Sequence, residues 1–217
     1  MNEKEKAKQI LKILNKIYPT TPIPLIHRNK FTLLTSVLLS AQCTDFNVNN
    51  VTKNIYQKYN KPEHFVKLGR KKIENLIKRI GIFRVKAKSI YLMSKQLLKN
   101  HGGKVPNTFE ELEKLPGVGH KTASVVMSQG FGVPAFAVDT HIHRLAQRWG
   151  LTNGKSVVQT EKDLKRIFPK NRWSKLHLQI IYYGREYCQA RSCYGLTCKI
   201  CSTCYPNRRN PINIKKA

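Results

Sequence analysis

Acidic residues are scarce in this chain. Asp and Glu number 12 against 40 Lys and Arg, which gives the 217 residues a formal net charge of +28. The aspartates are Asp45, Asp139 and Asp163. Because so large an excess of one sign repels itself unless a polyanion offsets it, nucleic acid is the expected partner. An AT-rich genome favours lysine and would supply part of the excess, but it does not readily remove aspartate.

Long apolar runs are also missing. The longest, Leu33 to Ala41, is too short to cross a bilayer, so we expect no membrane partner. The first residues contain no apolar core of an export signal, and the cysteines are therefore not expected to form disulfides. These absences argue against secreted and membrane classes and predict a cytoplasmic protein.

The chain has no repeat of fixed length and no alternating apolar runs between hairpin turns, so we expect no β-sheet. Apolar residues recur instead at helical spacing, on one stripe at Ile10, Leu11, Leu14 and Ile17 and on another at Phe31, Leu34, Val37, Leu38 and Ala41. Further helices are expected over residues 45–59, 70–79, 83–100, 107–114, 119–130, 140–149, 156–168 and 173–184. Proline and glycine, Pro62 among them, mark the breaks. The predicted fold class is all-α.

A glycine-containing turn, Leu115–Gly119, joins two of these helices. Pro116 cannot continue the helix before it, while Gly117 and Gly119 permit positive φ and expose the backbone around Val118. The N–H groups at the start of the following helix can then bind a DNA phosphate without reading a base. An ordinary helix connection is the alternative, which the net charge makes less favoured.

Lys121 and Asp139 are the candidate catalytic residues. Lys121 lies in the first turn of a helix, where the helix dipole disfavours a cation. That field, with partial burial, should favour the uncharged amine, which can attack C1′ of a deoxyribose and form a Schiff base. Asp139 precedes the helix that starts at Thr140, where an aspartate caps backbone N–H groups. A capped carboxylate stays ionised, which suits it to activate a nucleophile and to stabilise a cationic sugar.

The segment LPGVGHKTA, followed by VDTHIHRLAQR, resembles the helix-hairpin-helix DNA glycosylases and most closely the endonuclease III family. The resemblance covers nearly the whole chain, including LLSAQCTDFNVN at residues 38–49. It implies a bifunctional DNA glycosylase and abasic-site (AP) lyase that excises oxidised pyrimidines and cleaves the strand by β-elimination. Lys121 would be the Schiff-base nucleophile and Asp139 the essential carboxylate. A non-catalytic, hairpin-bearing DNA-binding module is the alternative.

The same resemblance implies two helical lobes and two wedges into DNA. One lobe would be residues 24–133, with the hairpin and Lys121, and the other residues 134–217 with the N-terminal residues 1–23. Gln42 would fill the space left by an extruded base, and Ile82 would enter the opposite strand. A helix-capping Gln and a core Ile are the alternatives from sequence alone. The implied partner is double-stranded DNA with damaged bases or abasic sites, bound by a monomer.

Five of the six cysteines crowd near the C-terminus, at Cys188, Cys193, Cys198, Cys201 and Cys204. The spacing of the last three suits a compact loop around a 4Fe–4S cluster, with Cys188 as a fourth thiolate. These cysteines are spaced differently from those of the family. When the two patterns are aligned from Cys188 without a gap, Gly195 stands at the position of the second ligand. When one insertion is allowed, Cys204 comes too soon in the chain for the position of the fourth ligand. The expected ligands are Cys188, Cys198, Cys201 and Cys204, with Cys193 as a spare or substitute. A tetrahedral zinc and a metal-free tail are the alternatives.

Overall fold

The computed structural model describes residues 1–216, and within that range it contains helices and no β-strand. The α-helices are α1 (Glu3–Ile17), α2 (Lys30–Ser40), α3 (Asp45–Lys58), α4 (Pro62–Leu76), α5 (Phe83–His101), α6 (Phe109–Glu113), α7 (His120–Phe131), α8 (Thr140–Arg148), α9 (Val157–Ile167), α10 (Trp173–Glu186) and α11 (Lys199–Cys204). A short 3-10 helix, Lys170–Arg172, precedes α10. The prediction of an all-α fold is confirmed.

The helices α4 and α11 depart most from the sequence prediction. Pro62 was expected to break the chain, yet it is the first residue of α4, where its missing N–H would have no helical partner in any case. Gly69, with a φ of 72°, interrupts α4, which explains why only its second half was predicted. The helix α11 was not predicted, because its six residues are too short to show a periodic pattern.

The chain forms two compact units, Ile23–Val133 and Met1–Pro22 with Pro134–Ala217. We call the first the hairpin unit and the second the cysteine unit. Within the hairpin unit, α2 packs against α3, α5 and α7.

In the hairpin unit, α2 is buried on every side rather than along one stripe. All nine residues from Phe31 to Leu39 are buried, which is typical of a central helix. Its buried hydroxyls are satisfied, since Thr35 donates to the Phe31 carbonyl at 2.8 Å and Ser36 to the Ile26 carbonyl at 2.9 Å. Ala41, expected on the apolar stripe, lies beyond the helix end and is exposed.

In the cysteine unit, the predicted stripe of α1 packs against α10 and α11, with Ile10 and Leu14 fully buried. Phe136 and Val138 are buried in the same core, in the segment that leads directly into α8. Among residues 1–216, no helix is long and apolar enough to cross a membrane.

Candidate functional site

The glycine turn is packed into the hairpin unit by its apolar residues. Leu115 and Val118 are 2% and 6% exposed, and the Val118 N–H donates to the Leu115 carbonyl at 3.0 Å. Gly117 has a φ of 80°, and a Cβ atom there would lie 2.7 Å from Cβ of Ser89 in α5. Both the conformation and the close approach therefore require glycine at residue 117.

Gly119 is the N-cap of α7, and no side chain caps this helix end. The first N–H groups of a helix have no partner within the helix, and they lie at the positive end of its dipole. The start of α7 is therefore suited to bind an anion such as a DNA phosphate.

His120 links the two helices that flank the turn, a contact that sequence reasoning missed. Its Nδ1 lies 2.7 Å from Oε1 of Glu113 in α6, and its ring stacks on Phe109 with centroids 5.7 Å apart. The contact between Glu113 and His120 could not be predicted from their seven-residue separation, because it is the fold of the turn between them that brings the two side chains together.

Lys121 lies in the first turn of α7 and is exposed. The expectation that this side chain would be partly buried is thus wrong. Exposure leaves the amine accessible to a substrate that approaches the turn.

Gln42 and Ile82 both adopt positive φ, at 53° and 51°. Both side chains are exposed, Ile82 by 53%, so the reading of Ile82 as a core residue is wrong. Gln42 follows the end of α2, while Ile82 is the N-cap residue of α5 and makes no side-chain cap bond. Positive φ is a genuine outlier for a β-branched residue and marks a backbone fixed by its surroundings.

Asp139 is the N-cap of α8, as the sequence predicted. Its Oδ1 accepts a hydrogen bond from the Ile142 N–H at 2.8 Å, and the side chain is half-buried. The buried residues that precede it, up to Val138, fix the position from which the carboxylate projects.

Four cysteine thiols come together in the cysteine unit. The Sγ atoms of Cys188, Cys193, Cys198 and Cys201 all lie within 4.8 Å of one another and are buried. Cys198 is the N-cap of α11, and its N–H donates to Sγ of Cys193 at 3.4 Å. Arg148 donates to Sγ of Cys188 at 3.3 Å. The Cys198 N–H contributes to a lowered pKa of Cys193, whereas the contact with the Cys198 thiol raises the pKa of Cys188 despite the Arg148 guanidinium.

The four-thiol group differs at one position from the ligand set expected from the sequence. Cys193 is inside the group, whereas Cys204 is outside it. Cys204 is buried at the end of α11 and lines a cavity of about 530 Å³ together with Lys6 and Tyr205. Burial raises the pKa of the Cys204 thiol to about 11.

The conformation of the loop explains the inclusion of Cys193. Tyr194 and Gly195 both have positive φ, at 50° and 84°, and turn the chain directly after Cys193. A Cβ atom on Gly195 would lie 2.7 Å from Cγ2 of Ile212. The turn that directly follows Cys193 therefore requires glycine at residue 195, the position where an alignment without a gap places a ligand.

Comparison with known proteins identifies the family. Residues 35–170 match the HhH-GPD superfamily of base excision DNA repair proteins. The chain is 46% identical to endonuclease III of Bacillus subtilis (strain 168) over 201 residues, which span 91% of this chain and 92% of the relative. The chain belongs to the endonuclease III family.

Other members and solved structures agree with this membership. Endonuclease III of Synechocystis sp. is 40% identical over 94% of this chain and 93% of the relative. The structure of a trapped endonuclease III–DNA covalent intermediate superposes with a TM-score of 0.87 and 42% identity, covering 92% of this chain and 94% of that chain. A thermostable thymine-DNA glycosylase at 22% identity shares the fold, with a TM-score of 0.77 over 91% of this chain and 93% of the other.

In this family context, the four buried cysteines fit a 4Fe–4S cluster. Thiolates so close together repel one another, and a bound metal makes their proximity favourable. The cluster would be held by Cys188, Cys193, Cys198 and Cys201 and would join the end of α10 to α11.

The first prediction concerns the glycine turn. Gly117→Ala should lower the free energy of unfolding by about 1–3 kcal/mol, because alanine is strained at positive φ and its Cβ would overlap Ser89. Gly119→Ala is the matched control, since its φ is negative and no atom lies within 4 Å of the added Cβ. Urea denaturation of the two variants measures the difference. Equal stability of both variants would contradict the packing described for residue 117.

The second prediction concerns the cluster ligands. The purified chain should be brown and carry about four irons. Cys193→Ala should lose most of the iron, because it removes a thiol from the four-thiol group, whereas Cys204→Ala should keep it. Iron analysis and visible absorption of anaerobically purified variants measure this. If Cys204→Ala lost its iron and Cys193→Ala kept it, the ligand set expected from the sequence would be correct. If the purified protein contained zinc and no iron, the site would be a zinc site.

Proposed function

We propose that this chain is a bifunctional DNA glycosylase and AP lyase of base excision repair, which excises oxidised pyrimidines from duplex DNA. The observation that carries the proposal is the exposed amine of Lys121, placed in the first turn of the helix whose N-terminus can bind a DNA phosphate. The intact positions of Lys121 and Asp139 favour an enzyme over a non-catalytic DNA-binding module.

The proposed division of labour follows the lobes expected from the sequence. Residues 24–133 hold the DNA backbone at the glycine turn, insert Gln42 and Ile82, and supply Lys121. Residues 134–217, with 1–23, supply Asp139 and the cysteines. A 4Fe–4S cluster would add structural order to the loop that carries its ligands. DNA as substrate and reduced thiols as ligands favour a cytoplasmic location.

In the proposed chemistry, the Lys121 amine forms a bond to C1′ of the extruded nucleotide while the bond from C1′ to the base breaks. The departing base takes up a proton, and the sugar ring opens to leave a Schiff base between C1′ and the lysine. Loss of a proton from C2′ then expels the 3′ phosphate by β-elimination. Water finally hydrolyses the Schiff base and frees the amine.

Asp139 would act through its charge. An ionised carboxylate stabilises the positive charge that develops on the sugar and can accept a proton from the attacking amine. Its hydrogen bond to the Ile142 N–H fixes the group in advance, so it does not reorganise during the reaction.

The third prediction tests the nucleophile. Sodium borohydride should trap a covalent adduct with a duplex that contains an oxidised pyrimidine, because it reduces the Schiff base. Lys121→Gln should abolish the adduct and strand cleavage while duplex binding persists. Lys104→Gln, an exposed lysine in the same unit, is the control and should form the adduct normally. An undiminished adduct in Lys121→Gln would assign the chemistry to another amine.

The fourth prediction separates the two roles of Asp139. Asn caps helices as well as Asp, so Asp139→Asn should leave the stability nearly unchanged. Excision should nevertheless slow about a hundredfold or more, since the charge is lost. Asp163→Asn is the matched control, because Asp163 accepts bonds from Thr152 and Gln159 in the same unit and should not affect excision. Single-turnover kinetics measure the rate of excision, and urea denaturation measures the stability. An unchanged excision rate in Asp139→Asn would show that Asp139 serves only as a helix cap.

A further inference from the structure

One buried lysine joins the two turns that carry Gln42 and Ile82. Lys86, in the first turn of α5, is 3% exposed. Its Nζ donates to the carbonyl oxygens of Leu39 at 3.0 Å and Ala41 at 2.6 Å, so it reaches the residue directly before Gln42. Its backbone N–H donates to the carbonyl of Ile82 at 3.2 Å. A single residue therefore contacts both turns.

The chemistry of the α2 terminus explains why a charged residue is buried here. The last carbonyls of a helix lack partners within it, and they lie at the negative end of the helix dipole. The Lys86 ammonium satisfies two carbonyls at the end of α2. Burial lowers the pKa of Lys86, while the two carbonyl oxygens that accept its hydrogen bonds stabilise the ammonium. An apolar replacement would leave both oxygens without this donor, and the contact with the Leu39 oxygen is buried.

A second side chain spans the same two turns. Nδ2 of Asn47 donates to the Arg79 carbonyl at 3.0 Å and contacts Sγ of Cys43 at 3.3 Å. Gly81 lies against the Gln42 carbonyl, since a Cβ on Gly81 would be 3.6 Å from that oxygen. The turns before α3 and before α5 are thus adjacent and linked from both sides.

The link matters because Gln42 and Ile82 both adopt positive φ, which persists only where neighbouring groups fix the backbone. If the turns moved independently, part of the free energy of DNA binding would be lost in ordering each strained turn. Because the two turns are already fixed in the free protein, DNA binding does not have to supply this ordering.

We propose that Lys86 is a positioning residue for base extrusion, which holds the turns of Gln42 and Ile82 in one register so that both side chains enter the duplex together. The inference rests on the proposed function. Lys86 acts through the backbone of the two turns, since its ammonium is engaged by carbonyl oxygens.

The experiment compares one oxidised pyrimidine in two duplexes. In the first, thymine glycol is paired with adenine, and in the second it faces an abasic analogue, so its extrusion is easier. Lys86→Met should slow single-turnover excision of the paired lesion by about ten- to a hundredfold, because support for extrusion is lost. On the unpaired lesion, the loss should be less than about threefold, because the energetic demand of extrusion is smaller. Fluorescence of 2-aminopurine next to the lesion should show slower extrusion in the same variant.

Controls separate positioning from general damage to the fold. Lys99→Met makes the same change at the exposed far end of α5 and should leave both rates unchanged. Asn47→Ala removes the second link and should show the same selective loss as Lys86→Met. If thermal melting shows that Lys86→Met does not fold, Lys86→Gln, which keeps an uncharged N–H donor group, takes its place.

The contrary results are distinct. Equal slowing on both duplexes, or no slowing on either, would overturn the positioning role while the wild-type excision upholds the proposed function. Failure of the wild-type chain to excise either lesion or to form a borohydride adduct would instead overturn the proposed function on which the inference rests.

Discussion

The close approach of Gly117 to α2 and α5 organises the hairpin unit. Without a Cβ, the turn packs against Leu38 of α2 and Ser89 of α5. The Gln42 turn follows α2, and the Ile82 turn precedes α5. The turn that can bind phosphate and both exposed wedge residues are thus fixed to the same pair of helices. Placement on rigid helices determines such positions more tightly than placement on separate loops would.

The cysteine unit depends on a different principle, the satisfaction of buried carbonyls by buried arginines. Arg148 donates to the carbonyls of Gln189 at 2.7 Å and Ala190 at 3.0 Å, as well as to the Cys188 thiol. Arg144 donates to the carbonyls of Gly184 and Cys188. These bonds order the chain after α10 through contacts that need no metal. The bonds from a cluster to its thiolates would add to these contacts.

Local sequence was sufficient for several features formed by adjacent residues. The glycine turn, the position of Lys121 at the start of α7 and the cap at Asp139 follow from a few adjacent residues, because helix ends have strict local requirements. The family resemblance rested on these segments and is confirmed by the comparisons. Contacts formed across the unit were not predictable: Lys86 and Ala41 are 45 residues apart, and nothing in the residues between them indicates the contact.

The sequence by itself determined the all-α class, the family and the chemistry of the residues available, since these depend on periodicity, composition and short motifs. Tertiary structure alone decided three points. It exposed Ile82 and Lys121, it buried α2 on every side, and it selected Cys193 rather than Cys204 for the four-thiol group. The physical reason is common to all three. The exposure of a side chain and the distance between two thiols depend on which surfaces meet after folding. The spacing of cysteines in the sequence does not determine that distance, because the chain turns at Tyr194 and Gly195, which have positive φ.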